Sequence, residues 1–381
     1  MRIGIDASNI RAGGGLTHLR EVLCALDPAP LGIREVRVWG GQATLAHLPD
    51  RPWLIRVHPP ELDGTQLARG WWRRHRLDGL ALDSVDVLFS PGGVYGGRFR
   101  PFVTMSQNLL PFDPVERARF GLTPVRLRYH MLEWAQSRTF RRADGVIFLT
   151  PEAHRIVERR TGPLAAKIAI IPHGLAERFF QPLPPVRALS HEVSSGAPLR
   201  VLYVSIVNFY KHPWHVADAV ARLRREGLPV HLDLVGPAYP PALRRLKETL
   251  RRVDPQGEGV QYHGAVPYER LHEFYAAADL FVFASSCETF GMILLEAMAA
   301  GLPIACARRS ALPDVLGEAG HYFDPEDPED IARALRTLIL NPDLRRDLAR
   351  QAQQRARLFS WRRCAFETFQ FIRDIHQASH P

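Results

Sequence analysis

The stretch Asp279–Cys306, reading DLFVFASSCETFGMILLEAMAAGLPIAC, limits the fold more than any other part of the chain. Leu280–Ala284 is a continuous apolar, aromatic-rich run of the length of a buried strand, and Ser285–Thr289 is a polar loop. From about Phe290 the positions Met292, Leu295 and Ala299 follow helical spacing, until Gly301 and Pro303 stop the helix before the apolar run Ile304–Ala307. A strand, loop, helix and strand in this order make one unit of a buried parallel sheet.

The same stretch carries chemistry. Glu288 closes the loop, and Glu296 stands two turns into the helix. At the helix start the N–H groups of Phe290, Gly291 and Met292 and the positive end of the helix dipole suit an anion, and Gly291 has no side chain to keep a phosphate away. A carboxylate at Glu288 repels phosphate, so its natural partners are neutral hydroxyls such as those of a sugar. Glu296 can serve a ribose in the same way. Taken as two isolated glutamates, the plainer account is that Glu288 complements the helix dipole and Glu296 is a solvated helix position.

Length allows two domains, since 381 residues can bury two cores of ordinary size. There is no apolar run of 18 residues, and MRIGIDASN lacks a signal-peptide layout, so the expected location is the cytoplasm. Cys24, Cys287, Cys306 and Cys364 show no metal-ligand or paired-redox spacing and are expected to be reduced thiols in or near the core. No motif for a metal is apparent. The net charge is +9, and lysine contributes only Lys167, Lys211 and Lys247 to it. Such a balance fits phosphate-bearing partners without choosing among membrane, lipid-linked diphosphate, nucleotide and nucleic acid.

In chain order, Ile3–Asp6 is a strand followed by Gly13-Gly14-Gly15 and a helical pattern from Leu16. This reads as a strand, a glycine loop that lets backbone approach a ligand, and a helix entry; a tight turn is the alternative. Strands are expected at 36–39, 53–57, 85–89, 102–105, 145–149 and 168–171, which makes the first half an α/β domain. Between residues 98 and 144 lie nine arginines against Asp113, Glu116, Glu133 and Asp144, a local charge of +5. With Trp71, Trp72, Phe120, Tyr129, Trp134 and Phe140 interleaved, the segment from about Val115 to Arg142 is either a membrane-docking surface or a helix with an aromatic core face. Residues 181–198 are turn-rich and mark a linker. A second α/β domain follows, with strands expected at 200–204, 230–235, 260–262, 280–284 and 304–307.

Glu288, the seven residues after it, Glu296 and the run EAMAAGLP, with SSCETFG before and LPDVLGEAGHYFDPEDPEDIARAL after, resemble the donor-binding motif of the family 4, group 1 type glycosyltransferases. The resemblance implies the GT-B fold: two Rossmann-like α/β domains facing a central cleft. Its boundaries are 1–180 for the acceptor domain, 199–361 for the nucleotide-sugar donor domain, and a last helix, about 362–381, that packs back on the first. It implies that Glu288 contacts the transferred sugar, that amides of Phe290, Gly291 and Met292 hold sugar and diphosphate, and that Glu296 binds the ribose. Lys211 matches a lysine that neutralises the diphosphate, while Ser205 stands where that family has an arginine. Gly14 and Gly15 match the loop facing the donor phosphates. Gln107-Asn108 replaces the usual His-Asp, which leaves Asn108 as an acceptor-side hydrogen-bonding group that cannot act as a base. His173 stands where asparagine is more usual.

The activity implied is retaining transfer of a hexose-type sugar from a nucleotide diphosphate sugar to a hydroxyl acceptor. The expected setting is polysaccharide, lipopolysaccharide or glycolipid synthesis, with an acceptor that can be lipid-linked and a protein that can sit peripherally on the inner membrane face. No cofactor or metal is expected, because Lys211, the helix-start amides and the dipole supply positive charge. The alternatives are a GT-B phosphorylase or sugar-nucleotide epimerase, and a non-catalytic binder of sugar nucleotide or nucleic acid.

Overall fold

The computed structural model describes residues 1–183 and 197–379. It divides into two compact units: Met1–Arg117 with Gly121–Gly174 and Phe359–Pro381, and Leu175–Leu358 with Ala118–Phe120. Most of the turn-rich stretch 181–198 lies outside the described residues.

The first unit holds seven strands: β1 (Arg2–Asp6), β2 (Glu35–Trp39), β3 (Leu54–Val57), β4 (Val87–Ser90), β5 (Phe102–Ser106), β6 (Gly145–Phe148) and β7 (Lys167–Ile170). They form one sheet in the order β3-β2-β1-β4-β5-β6-β7, all parallel. Order reverses between β1 and β4, the switch point beyond whose carboxyl ends α/β sheets bind ligands. The second unit repeats the plan with β8 (Leu199–Val204), β9 (Val230–Val235), β10 (Val260–Gly264), β11 (Leu280–Phe283), β12 (Ile304–Ala307) and β13 (His321–Phe323). Its order is β10-β9-β8-β11-β12-β13, again all parallel, and its switch point lies between β8 and β11. Every residue of β4, β6, β11 and β12 is buried, as continuous apolar strands covered on both faces require.

Three expectations change on contact with the structure. The helix Gly13–Ala25 begins at Gly13, so the triple glycine is its first turn rather than a loop ahead of it. Gly13 has φ +69, which a Cβ would resist; Gly15 faces the Gln107 side chain, to which a Cβ would stand at 3.6 Å. The basic segment is two helices, Pro114–Ala118 and Pro124–Arg142, parted around Gly121 at φ +60. Of the aromatic residues in it, Phe120 and Phe140 are buried and Trp134 is 69% exposed; Trp72, buried, and Trp71, 52% exposed, lie on the separate helix Gln66–His75. No helix of the described residues is long and apolar enough to cross a membrane.

The last helix, Trp361–Ala378, belongs to the first unit and buries Trp361, Cys364, Ala365, Phe369, Ile372 and Ile375. In the second unit, Gly236 ends β9 where its backbone crosses that of Ser205. A Cβ there would come within 2.1 Å of the Ser205 carbonyl oxygen, and φ is +141. Gly236→Ala is therefore expected to cost about 2–3 kcal/mol. Urea unfolding followed by circular dichroism checks this, and an unchanged midpoint would contradict so close a crossing.

Candidate active site

Neighbouring parallel strands deliver their following loops to the same edge of a sheet, so the loops after β8 and β11 emerge side by side. They are then tied together. The Ser286 N–H and hydroxyl both donate to the Tyr210 carbonyl, at 2.8 and 3.2 Å, and His212 Nε2 lies 2.9 Å from Ser286 Oγ. The Tyr203 hydroxyl donates to the Lys211 carbonyl from below. These bonds set the Lys211 side chain against Glu288, and ammonium and carboxylate form an ion pair. Both side chains are shielded, at 8% and 16% exposure. The ammonium also stands 5.0 and 5.1 Å from the ring centres of Tyr210 and Phe283.

Backbone strain collects at the same place. Among the described residues, the non-glycine residues with positive φ are His212 (φ 49) and Ser310 (φ 53), and both touch this site. His212 begins the helix Pro213–Arg225, is fully buried, and has its imidazole pushed down to about 3, chiefly by burial. Ser310 brackets Glu288: its hydroxyl accepts from the Glu288 N–H at 3.1 Å and donates to the Glu288 carbonyl at 2.7 Å. Costly conformations persist where the surroundings over-determine them, which is common at functional sites.

Beyond Glu288 the chain turns through Gly291, whose φ of +94 and 3.0 Å gap from a Cβ to Leu312 exclude a side chain. The helix Met292–Ala299 follows, with Phe290 buried beneath it. Glu296 is not a solvated position. It is 1% exposed, and its two oxygens accept from the hydroxyls of Tyr268 at 3.1 Å and Tyr275 at 2.9 Å. Burial raises its carboxyl to about 7, against the opposing pull of both tyrosines and Arg178. Ser205 is buried at the end of β8, its hydroxyl near the Tyr203 phenol but outside ordinary hydrogen-bond geometry, and it brings no cation to the site.

In the first unit, Gly14 and Gly15 lie in the first turn after β1, and Asn108 follows β5. Asn108 Oδ1 accepts from the Leu110 N–H at 3.1 Å, so this side chain builds a turn. Thus Lys211, Ser205, Glu288, Phe290, Gly291, Met292 and Glu296 share the second unit, and Gly14, Gly15 and Asn108 the first. Reading the sequence missed Ser310, Tyr268 and Tyr275. No local spacing points to them, because each meets its glutamate only through the fold.

Two Rossmann-like parallel sheets, the second with paired loops and a helix start at its switch point, define a GT-B protein. A solved sucrose-phosphate synthase from Thermosynechococcus elongatus has the same fold, at a TM-score of 0.74 and 21% identity over 99% of this chain and 100% of that one. Residues 191–355 match the family model described as glycosyl transferases group 1. The O-antigen chain mannosyltransferase B of Escherichia coli is 37% identical over 109 residues, 29% of each chain. The GDP-mannose-dependent alpha-(1-6)-phosphatidylinositol dimannoside mannosyltransferase of Mycobacterium tuberculosis is 25% identical over 257 residues, 68% of this chain and 65% of that one. The part of the chain that the family model covers, within the second unit, is that of a group 1 glycosyl transferase. The chain spans less than two thirds of the length of these curated relatives.

The buried Glu296 sets a pH dependence. Its carboxyl moves from an ordinary 4.5 to about 7 on folding, so folded and unfolded chains hold this proton alike below pH 4.5. Between 4.5 and 7 only the unfolded chain releases it, and stability falls as pH rises, by about 3 kcal/mol in full above 7. Glu296→Gln should flatten this slope and be more stable than the wild type at pH 8, as urea unfolding at pH 5 and pH 8 would measure. An unchanged slope would show that Glu296 does not titrate in this window.

Proposed function

We propose that this chain transfers a sugar from a nucleotide diphosphate sugar to a hydroxyl acceptor with the anomeric configuration retained, in the assembly of a glycolipid or cell-surface polysaccharide. The observation that carries the reading is the Lys211–Glu288 ion pair beside the start of the helix Met292–Ala299. A phosphate and a sugar hydroxyl are the two ligands that can take these groups apart and leave both satisfied. Phosphate replaces the carboxylate as the partner of Lys211, and hydroxyls replace the ammonium as donors to Glu288. The names of the relatives, mannosyltransferases of O-antigen and of a phosphatidylinositol glycolipid, support the same substrate classes.

In this account the bond from the sugar's anomeric carbon to the diphosphate oxygen breaks, and the electron pair stays with the phosphate. Lys211, the Gly291 and Met292 amides and the helix dipole stabilise the charge that develops there. The acceptor oxygen bonds to the anomeric carbon on the same face and gives its proton to a donor phosphate oxygen. Glu288 orients the sugar and is not the nucleophile. A ribose contact at Glu296 requires the ribose hydroxyls to replace a tyrosine donor, since both oxygens are taken and the residue is buried. The positive groups take the part that a metal plays in other transferases. For a lipid-linked acceptor, the exposed Leu127, Met131 and Trp134 beside the arginines of the helix Pro124–Arg142 offer a peripheral contact with anionic membrane.

A thermal-shift panel of UDP, GDP and ADP sugars should yield one selective stabiliser, and turnover of that donor should require an added acceptor. Lys211→Ala is expected to lower turnover by about 10²–10³-fold, the usual loss for one charge-stabilising donor. Glu288→Gln should abolish transfer while keeping the fold, since a neutral amide leaves Lys211 a hydrogen-bond acceptor. Donor consumption without acceptor would point to an epimerase, dependence on inorganic phosphate to a phosphorylase, and near-normal turnover by Glu288→Gln would contradict the proposal.

A further inference from the structure

In the core of the first unit, three side chains from distant parts of the sequence meet. His18 comes from the helix Gly13–Ala25, His173 from just beyond β7, and Cys364 from the first turn of the helix Trp361–Ala378. One ligand atom of each lies within 4.8 Å of the other two, and all three residues are buried. The Nδ1 atoms of His18 and His173 are 3.1 Å apart. Two imidazole nitrogens bound tetrahedrally to one ion at about 2.0–2.1 Å would stand about 3.4 Å apart, so a few tenths of an ångström separate this arrangement from a ligand pair. The Trp361 ring covers the cluster, with its centre 6.1 and 5.7 Å from those of His18 and His173.

The plain account is a pair of neutral imidazoles sharing one N–H···N bond, with a thiol packed beside them. His18 Nε2 is fully buried and has no hydrogen-bond partner in the described structure, and an ion held at this nitrogen rather than at Nδ1 would give it one. The close approach is built in: a Cβ at Gly174 would come within 2.0 Å of the Trp361 backbone nitrogen.

We propose that His18, His173 and Cys364 form a binding site for a thiophilic transition-metal cation, zinc(II) or copper(I) in class, which clasps the first helix, the end of β7 and the C-terminal helix together. Two imidazoles and a sulfur without carboxylate suit these ions and exclude magnesium and calcium, which take oxygen ligands. On binding, the Cys364 S–H bond breaks, its proton leaves to solvent, and sulfur and one nitrogen of each histidine bond to the ion. No electron is transferred. Copper(I) with one thiolate is neutral, whereas zinc(II) retains one positive charge in the core.

The test uses the full-length protein, stripped with chelator under reducing conditions and titrated anaerobically with cobalt(II), as the spectroscopic stand-in for zinc(II), and separately with copper(I). One equivalent of either should give a thiolate-to-metal charge-transfer band and raise the thermal unfolding midpoint. Cys364→Ser should abolish the band, His173→Asn should weaken binding by more than about tenfold, and Cys24→Ser, which removes an exposed thiol, should change neither. Absence of a sulfur band with both cations, or a band that survives Cys364→Ser, would overturn the proposal. Should Cys364→Ser fail to fold, X-ray absorption at the metal edge of the wild-type complex decides: one sulfur and two imidazoles supports the site, and a shell without sulfur refutes it.

Discussion

A lysine and a glutamate held against each other away from water make the arrangement on which the second unit's chemistry depends. A shielded ammonium or carboxylate left alone is costly, about 3–5 kcal/mol when one partner of a buried pair is removed, so Lys211 and Glu288 each require the other until something replaces it. That requirement makes the site selective. On the function proposed above, an incoming ligand must present an anion to the lysine and hydroxyl donors to the glutamate at once, and a ligand with only one of these strands a charge. Discrimination by leaving the wrong ligand's partner unpaired is stronger than discrimination by shape.

The pair exists because of topology. With β8 and β11 adjacent at the point where strand order reverses, the residues just past their ends cannot avoid each other, although 77 positions separate Lys211 from Glu288 in the chain. Ser286, Tyr203 and Ser310 then bind the loop backbones rather than the charged ends, which keeps both charged groups addressable while fixing where they stand. The left-handed backbone at His212 and Ser310 is the local cost of that fixation.

Much of this was legible in the sequence, for physical reasons that also explain the failures. All the strands expected from apolar runs are present, and the central ones stand out most because strands buried on both faces must be apolar throughout. The three-residue β13 carries too short a run to stand out. The helical reading of residues 115–142 ran through Gly121, where a left-handed residue separates two helices. Glu288 and Lys211 could be singled out by motif and by the scarcity of lysine, but their pairing could not. Glu296 illustrates the limit best. Its surroundings, Tyr268 and Tyr275, come from the stretch before β11, so nothing next to it in the chain signals that this carboxylate is buried. The cluster of His18, His173 and Cys364 was invisible to spacing for the same reason, since metal-ligand motifs read from sequence assume ligands close together.

The central claim is that Lys211 recognises diphosphate and Glu288 recognises sugar, and calorimetric titration of a bare nucleoside diphosphate and of the matching nucleotide sugar tests it most directly. Lys211→Ala is predicted to weaken binding of both ligands. Glu288→Gln is predicted to weaken the nucleotide sugar alone and to leave the bare diphosphate bound at least as well, since the lysine no longer has a carboxylate competing for it. Equal weakening of both ligands by Glu288→Gln, or unchanged binding of both in Lys211→Ala, would contradict the account.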